Sequence, residues 1–107
     1  MRKVAAALVL ASIALSAAAA DNLVKITANE NGFTPAQLEV TAGQAFVIEV
    51  QNTGKKAVEF ESKQLHVEKV IAAGKTAQVK VRALKAGSYK FFDEFNEDKA
   101  KGTVVAK

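Results

Sequence analysis

The sequence alternates between apolar and polar residues in short runs, and this pattern constrains the fold more than any other feature. Turn signals such as Asn31-Gly32, Ala42-Gly43 and Ala86-Gly87 separate the runs at intervals of about eight to twelve residues. A period of two is typical of strands with one buried face, and short strands at regular spacing indicate an all-β sandwich or barrel. About eight strands are predicted, at Leu23–Ala28, Leu38–Thr41, Ala45–Gln51, Val58–Ser62, Leu65–Ile71, Thr76–Arg82, Ser88–Phe92 and Thr103–Ala106.

The first twenty residues have the composition of a cleaved secretory signal. Arg2 and Lys3 give a positive start, Val4–Leu15 is an apolar run, and Ala18-x-Ala20 fits a signal-peptidase site. The apolar run is shorter than the ~20 residues that a membrane-spanning helix needs. We therefore expect an exported protein that is cleaved after residue 20 and forms a single domain over residues 21–107.

The exported domain has to be stabilised by its core, because cysteine is absent from the sequence and no disulfide is possible. Without Arg2 and Lys3, 13 of the 15 basic residues remain against 11 acidic ones. The lysines are scattered along the chain and are not interleaved with aromatic residues, as they would be in a nucleic-acid-binding stripe. This distribution excludes nucleic acid as a partner.

The sequence contains no arrangement typical of an enzyme. His66 is the only histidine, and no serine or threonine has a histidine and an acid as evident partners. A glycine-rich phosphate-binding loop is also absent. We expect a binding protein with no small-molecule substrate, rather than a catalyst.

Four segments follow one another in the order and spacing of a known family. They are Phe33–Gln44 with the pattern Phe-x-Pro-x-x-Leu-x-Val-x-x-Gly, Ala45–Gly54, Leu84–Phe91 with Leu-x-Ala-Gly-x-Tyr-x-Phe, and Gly102–Val105. Together they resemble the cupredoxins over nearly all of residues 23–107. The resemblance implies a Greek-key β-sandwich of about seven or eight strands.

The sequence departs from this family at the metal ligands. The resemblance places Asp93 at the copper-binding cysteine, Asn96 near the following histidine, Ala100 near the methionine, and Glu59 near the first histidine. Blue copper requires a thiolate and borderline nitrogen ligands. The resemblance therefore implies a cupredoxin-type domain that lacks the blue-copper site.

Carboxylates take the place of the lost ligands. Glu59 and Glu61 lie in one segment, and Asp93, Glu94 and Glu97 lie in the loop that would face it. Oxygen ligands favour hard cations such as iron, manganese, calcium or magnesium. These five residues are the predicted metal ligands.

His66 is a further candidate ligand. The predicted strand Leu65–Ile71 places His66 and Glu68 on the same face, where they could bind iron, or Cu(II) without forming a blue site. This interpretation leaves a copper carrier open as an alternative. A metal-free interaction module, with its binding face around Phe92 and Phe95, is a second alternative.

The segments Val58–Ser62, Phe91–Phe95 and Lys101–Val105 are similar to one subgroup of the family. This subgroup comprises the cupredoxin-like proteins of bacterial ferrous-iron uptake, including the cupredoxin domain of EfeO-type proteins and the stand-alone partner in Ftr-type systems. The resemblance implies a periplasmic protein that binds an iron ion. It also implies that the partners are a membrane iron permease and other periplasmic iron-uptake components.

Overall fold

The computed structural model describes residues 22–107, so the predicted signal peptide lies outside the described residues. These residues form nine β-strands: β1 (Leu23–Asn29), β2 (Gly32–Thr34), β3 (Gln37–Val40), β4 (Phe46–Asn52), β5 (Val58–Ser62), β6 (Val67–Ile71), β7 (Thr76–Val81), β8 (Gly87–Asp93) and β9 (Lys101–Ala106). Over this range there is no helix of the length and hydropathy needed to cross a membrane. The prediction of an all-β fold is confirmed.

The strands form two sheets. A four-stranded sheet has the order β2-β1-β4-β7, and a five-stranded sheet has the order β3-β9-β8-β5-β6. β1 pairs with β4, and β3 with β9, in parallel, while the remaining pairs are antiparallel. The connections β2–β3, β3–β4, β4–β5, β6–β7 and β7–β8 pass from one sheet to the other, which gives the sandwich its two layers.

Alternate residues of both sheets fill the space between them, as the period of two requires. Three phenylalanines form the centre of this core. Phe33 contacts Phe60 and Phe91 edge-on, at ring-centroid distances of 5.9 and 5.1 Å, and Phe60 stacks on Phe91 at 4.9 Å. Each aromatic pair contributes about 0.5–1.5 kcal/mol beyond the burial of its area. β2, β5 and β8 are therefore locked together through one cluster.

The structure differs from the sequence-based strands in two places. A short strand, β2, forms at the edge of the four-stranded sheet, where Pro35 does not have to donate to a central ladder. The predicted strand Leu65–Ile71 begins only at Val67. Ser62 accepts a hydrogen bond from the Leu65 N–H at 3.1 Å and donates one to the Lys90 carbonyl at 2.6 Å, which closes a tight turn.

This turn changes the position of His66. The residue has a left-handed backbone with φ of 59° and lies between β5 and β6, not on a strand face. The prediction that His66 and Glu68 lie on the same face of one strand is therefore wrong. The alternation of side chains between the two faces begins with the strand, so it does not determine the direction of a residue inside the preceding turn.

Gly102 shows how closely β9 packs against the core. A Cβ atom at this position would meet the Phe91 ring and would lie 2.6 Å from the Ala36 carbonyl oxygen. We expect Gly102→Ala to lower the free energy of unfolding by about 1–3 kcal/mol, the usual cost of overpacking. Urea denaturation measures this change.

The neighbouring substitution Thr103→Ala is the control, because Thr103 lies on the outer face of the same strand. It should shift the urea midpoint less than Gly102→Ala does. An unchanged midpoint for Gly102→Ala would contradict the packing described for β8 and β9.

Candidate metal centre

Three glutamates meet on the outer face of the five-stranded sheet. Val58, Phe60 and Ser62 of β5 point into the core, so Glu59 and Glu61 point outward. The register of the β5–β6 hairpin places Glu68 directly opposite Glu61. Each of Glu59, Glu61 and Glu68 has a carboxylate oxygen within 4.8 Å of one from each of the other two. We refer to these three residues as the carboxylate cluster.

Strand β8 brings a fourth glutamate to the border of this cluster. Phe92 pairs with Glu61, and the Glu94 N–H donates to the Glu59 carbonyl at 2.9 Å. The continuing alternation places Glu94 beside Glu59 on the outer face. The negative charge of Glu94 contributes to the raised pKa of both Glu59 and Glu61, and its carboxyl group is within hydrogen-bonding reach of Glu61.

Crowding of like charges makes the cluster hold protons. The hydrogen bond between Glu59 and Glu68 raises the pKa of Glu59 from 4.5 to about 7, and partial desolvation and the negative charges of Glu68, Glu61 and Glu94 act in the same direction. The pKa of Glu61 is also raised, first by partial desolvation and then by Glu94 and Glu68, while Lys63 opposes the shift. Near pH 7 Glu59 is therefore partly protonated, and a cation could displace this proton.

Asp93 does not join this cluster. It pairs in register with Phe60, so its side chain shares the inward face of the sheet and is only 3% exposed. Its Oδ1 accepts hydrogen bonds from the Glu59 N–H at 2.9 Å and the Phe95 N–H at 3.0 Å. The structure thus gives Asp93 the task of fixing the start of β5 and the turn after β8.

Of the other two predicted ligands, Glu97 is also apart from the cluster, whereas His66 is outside the cluster but lies beside two of its members. Glu97 lies in a groove of about 540 Å³ that extends over β8 and β9, on the side of β8 away from β5. We call it the β8–β9 groove. It is lined by Ala36, Gln37, Lys90, Phe91, Phe92, Glu97, Lys101, Gly102 and Thr103. His66 borders a shallow cavity of about 370 Å³ that it shares with Glu61 and Glu68. Of the predicted ligands, Glu59 and Glu61 come together, with Glu94 at their border.

Sequence analysis did not include Glu68 among the carboxylate ligands. The signal was present, because a hairpin between two alternating strands places acids of the same face opposite each other. Applying this rule requires the length of the turn between the two strands. Once the turn occupies residues 63–66, Glu68 falls opposite Glu61.

The end of the sandwich does not fit blue copper. Asp93 and Asn96, which the resemblance aligns with copper ligands, line a cavity of about 450 Å³ together with Lys56 and Lys99. No thiol exists anywhere in the sequence. The Asn96 Nδ2 group donates a hydrogen bond to the Glu30 carbonyl oxygen at 3.0 Å. The Asp93 Oδ1 atom already accepts two hydrogen bonds. Soft-metal chemistry thus has no ligands here.

Comparison with known proteins gives consistent results. The family model described as Cupredoxin-like domain matches residues 3–106. The uncharacterized protein RP394 of Rickettsia prowazekii (strain Madrid E) is 32% identical over 87 residues, which is 79% of this chain and 70% of that protein.

Two solved structures share the fold at low identity. Reduced auracyanin of Roseiflexus castenholzii superposes with a TM-score of 0.69 at 13% identity, over 80% of this chain and 97% of that one. The purple cupredoxin of Nitrosopumilus maritimus gives 0.61 at 16% identity, over 78% and 99%.

The role of Asp93 can be tested by comparing two substitutions. Asp93→Ala leaves the N–H groups of Glu59 and Phe95 without their partner, and we expect it to lower the free energy of unfolding by about 1–3 kcal/mol. Asp93→Asn retains an acceptor oxygen and should cost less. Urea denaturation of both proteins decides the point, since equal losses, or none, would contradict the hydrogen-bonding role.

The raised pKa of Glu59 predicts how stability depends on pH. Between pH 4.5 and 7 the folded protein keeps a proton that the unfolded chain releases, so stability falls as the pH rises through this window. In the presence of a chelator, the melting temperature should therefore decrease from pH 5 to pH 8.

Two variants test the origin of this slope. Glu59→Gln should flatten it, whereas Glu97→Gln, which removes one carboxylate outside the cluster, should keep the wild-type slope. Equal slopes for wild type and Glu59→Gln would show that the cluster is not its source.

Proposed function

This chain belongs to the family of cupredoxin-like domains, and from that premise we propose that it is a periplasmic accessory protein that binds iron through carboxylates and passes it to a membrane iron permease. The carboxylate cluster is the binding site in this proposal. Iron is the cargo, and the protein acts as a carrier and not as an enzyme.

One observation carries the proposal. One carboxylate oxygen from each of Glu59, Glu61 and Glu68 lies within 4.8 Å of the other two, a separation at which one cation can contact all three. Uncompensated carboxylates at this distance repel each other, and this repulsion adds to the hydrogen bond with Glu68 that raises the pKa of Glu59 and to the desolvation that raises the pKa of Glu61. A bound cation would relieve this repulsion.

The chemistry of the donors favours a hard cation. All three side chains offer oxygen, and Glu94 adds negative charge at the border of the cluster. Ferric iron has a high charge and prefers such ligands. The choice of iron among hard cations rests on the similarity of the segments around Glu59 and Asp93 to ferrous-iron uptake proteins.

The surface position of the cluster supports transfer rather than storage. Glu59 and Glu61 are half-buried and Glu68 is exposed, so one side of a bound ion would remain open to a second set of ligands. A permease that presents its own carboxylates could approach from that side. Export by the predicted signal peptide would place the protein in the compartment that such a permease faces.

Calorimetry tests the site directly. Ferric citrate and, under anaerobic conditions, ferrous iron are titrated into wild type and into Glu59→Gln/Glu68→Gln. We expect the variant to lose the binding heat, because two of the three donors are gone. Wild type should also release protons on binding, which shows as a dependence of the heat on the buffer, since the cation displaces the protons of the cluster.

Matched controls separate this site from nonspecific charge. Glu97→Gln/Asp98→Asn removes the same charge from the loop after β8 and should bind as wild type does. Asp93→Asn should also bind, because that carboxylate faces the core. Equal heats for wild type and Glu59→Gln/Glu68→Gln would reject the carboxylate cluster as the iron site.

The position of His66 favours a second candidate function, a Cu(II) carrier. His66 borders the same shallow cavity as Glu61 and Glu68. A carrier of this kind would bind Cu(II) without an intense blue band, and His66→Ala would abolish binding. If neither iron nor copper raises the melting temperature, the domain is instead a metal-free interaction module.

A further inference from the structure

The outer face of the five-stranded sheet is divided by charge. A row of directly paired residues crosses four strands in the order Lys101, Phe92, Glu61 and Glu68. Neighbouring strands lie about 4.8 Å apart. Glu61 and Glu68 therefore lie on one side of Phe92 and Lys101 on the other, and β8 carries a second lysine, Lys90, two residues before Phe92.

The lysines of this face have no acidic partner at short range. Lys90 and Lys101 both line the β8–β9 groove, and Glu97 is its one acid. The single ion pair found within residues 22–107 joins Lys107 to Glu39 at 3.2 Å, so neither groove lysine has a described carboxylate within 4.0 Å. Their charges are available to a partner.

The groove between the lysines offers apolar surface and space. Phe92 is half-buried, and Ala36 and Gly102 add apolar or small surface beside it. The volume of about 540 Å³ is sufficient for a large apolar side chain. A segment that fits this groove would combine negative charge with at least one apolar anchor.

We propose that the β8–β9 groove docks an acidic segment with an apolar side chain, belonging to the protein that receives the cation. This inference rests on the proposed function. A receiver of a hard cation needs carboxylates of its own, and the carboxylate cluster would repel them. Lys90 and Lys101 lie on the same face, one and two strands from β5, and would offset that repulsion while the receiver's ligands approach.

Fluorescence anisotropy with labelled ten-residue peptides tests the groove. The protein is expressed with its own leader, purified in its mature form and kept in chelator, so that no metal contributes. A Glu/Leu peptide should bind, and Lys90→Gln/Lys101→Gln should weaken that binding about five- to tenfold, with a reduced dependence on salt. A Lys/Leu peptide and a Glu/Ser peptide, which lack the charge or the anchor, should bind less tightly than the Glu/Leu peptide.

The control variant carries the same loss of charge on the other sheet. Lys75→Gln/Lys80→Gln should bind the Glu/Leu peptide as wild type does. Both lysines are exposed and far from the groove in the fold, Lys75 directly before β7 and Lys80 within it, in the four-stranded sheet. Equal weakening by both double variants, or equal binding of all three peptides, would overturn the groove. So would binding to vesicles with phosphatidylglycerol, but not to the Glu/Leu peptide, if that binding required Lys90 and Lys101.

The variant Glu59→Gln/Glu68→Gln separates this inference from the proposed function. It should bind the Glu/Leu peptide at least as tightly as wild type, since two repelling charges are removed. If iron calorimetry fails while peptide binding depends on Lys90 and Lys101, the carrier function falls and the groove remains a peptide site. If iron binds and the peptide does not, the groove assignment falls alone.

Discussion

The parity of strand β5 is the constraint on which the rest of the structure depends. One set of alternate residues, Val58, Phe60 and Ser62, enters the core, and this commits Glu59 and Glu61 to the opposite face. Phe60 is fully buried against Phe33 and Phe91, and burying a side chain of this size stabilises the fold by about 1.5–3 kcal/mol. A register slip of one residue would exchange the two faces and bury the glutamates, so the core itself enforces the position of the carboxylate cluster.

The same alternation explains which parts of the site could be predicted from the sequence. The strands were predictable because alternation and turn signals are local properties, and Glu59 and Glu61 follow directly from them. Asp93 was misleading because its place in the chain suggested a ligand, whereas its pairing with Phe60 turns it inward. That pairing joins residues 33 positions apart, and no local pattern specifies it. His66 and Glu68 depend on the length of one turn, which Ser62 fixes through its hydroxyl group.

The chain uses a cupredoxin scaffold with a different distribution of chemistry. At the end of the sandwich, Asp93 and Asn96 form hydrogen bonds to the backbone that stabilise loops, and lysines line the cavity. The acidic groups are concentrated on the outer face of the five-stranded sheet, about one strand away from Asp93. The fold accommodates this change because the outer positions of a strand contribute little to the core. Mutual repulsion among the glutamates costs stability, and the aromatic cluster beneath β5 and β8 offsets it.

Among the strands that residues 22–107 form, β6 lies at the edge of its sheet, with β5 as its one neighbour there. Edge strands open more readily than central ones, because a single ladder of hydrogen bonds holds them. Glu68 is carried on this strand, while Glu59 and Glu61 are held by the interior of the sheet. An ion shared between β5 and β6 would link the edge strand to its neighbour and oppose its opening. Local melting of the edge strand would, in turn, withdraw one donor from the ion and hasten its escape.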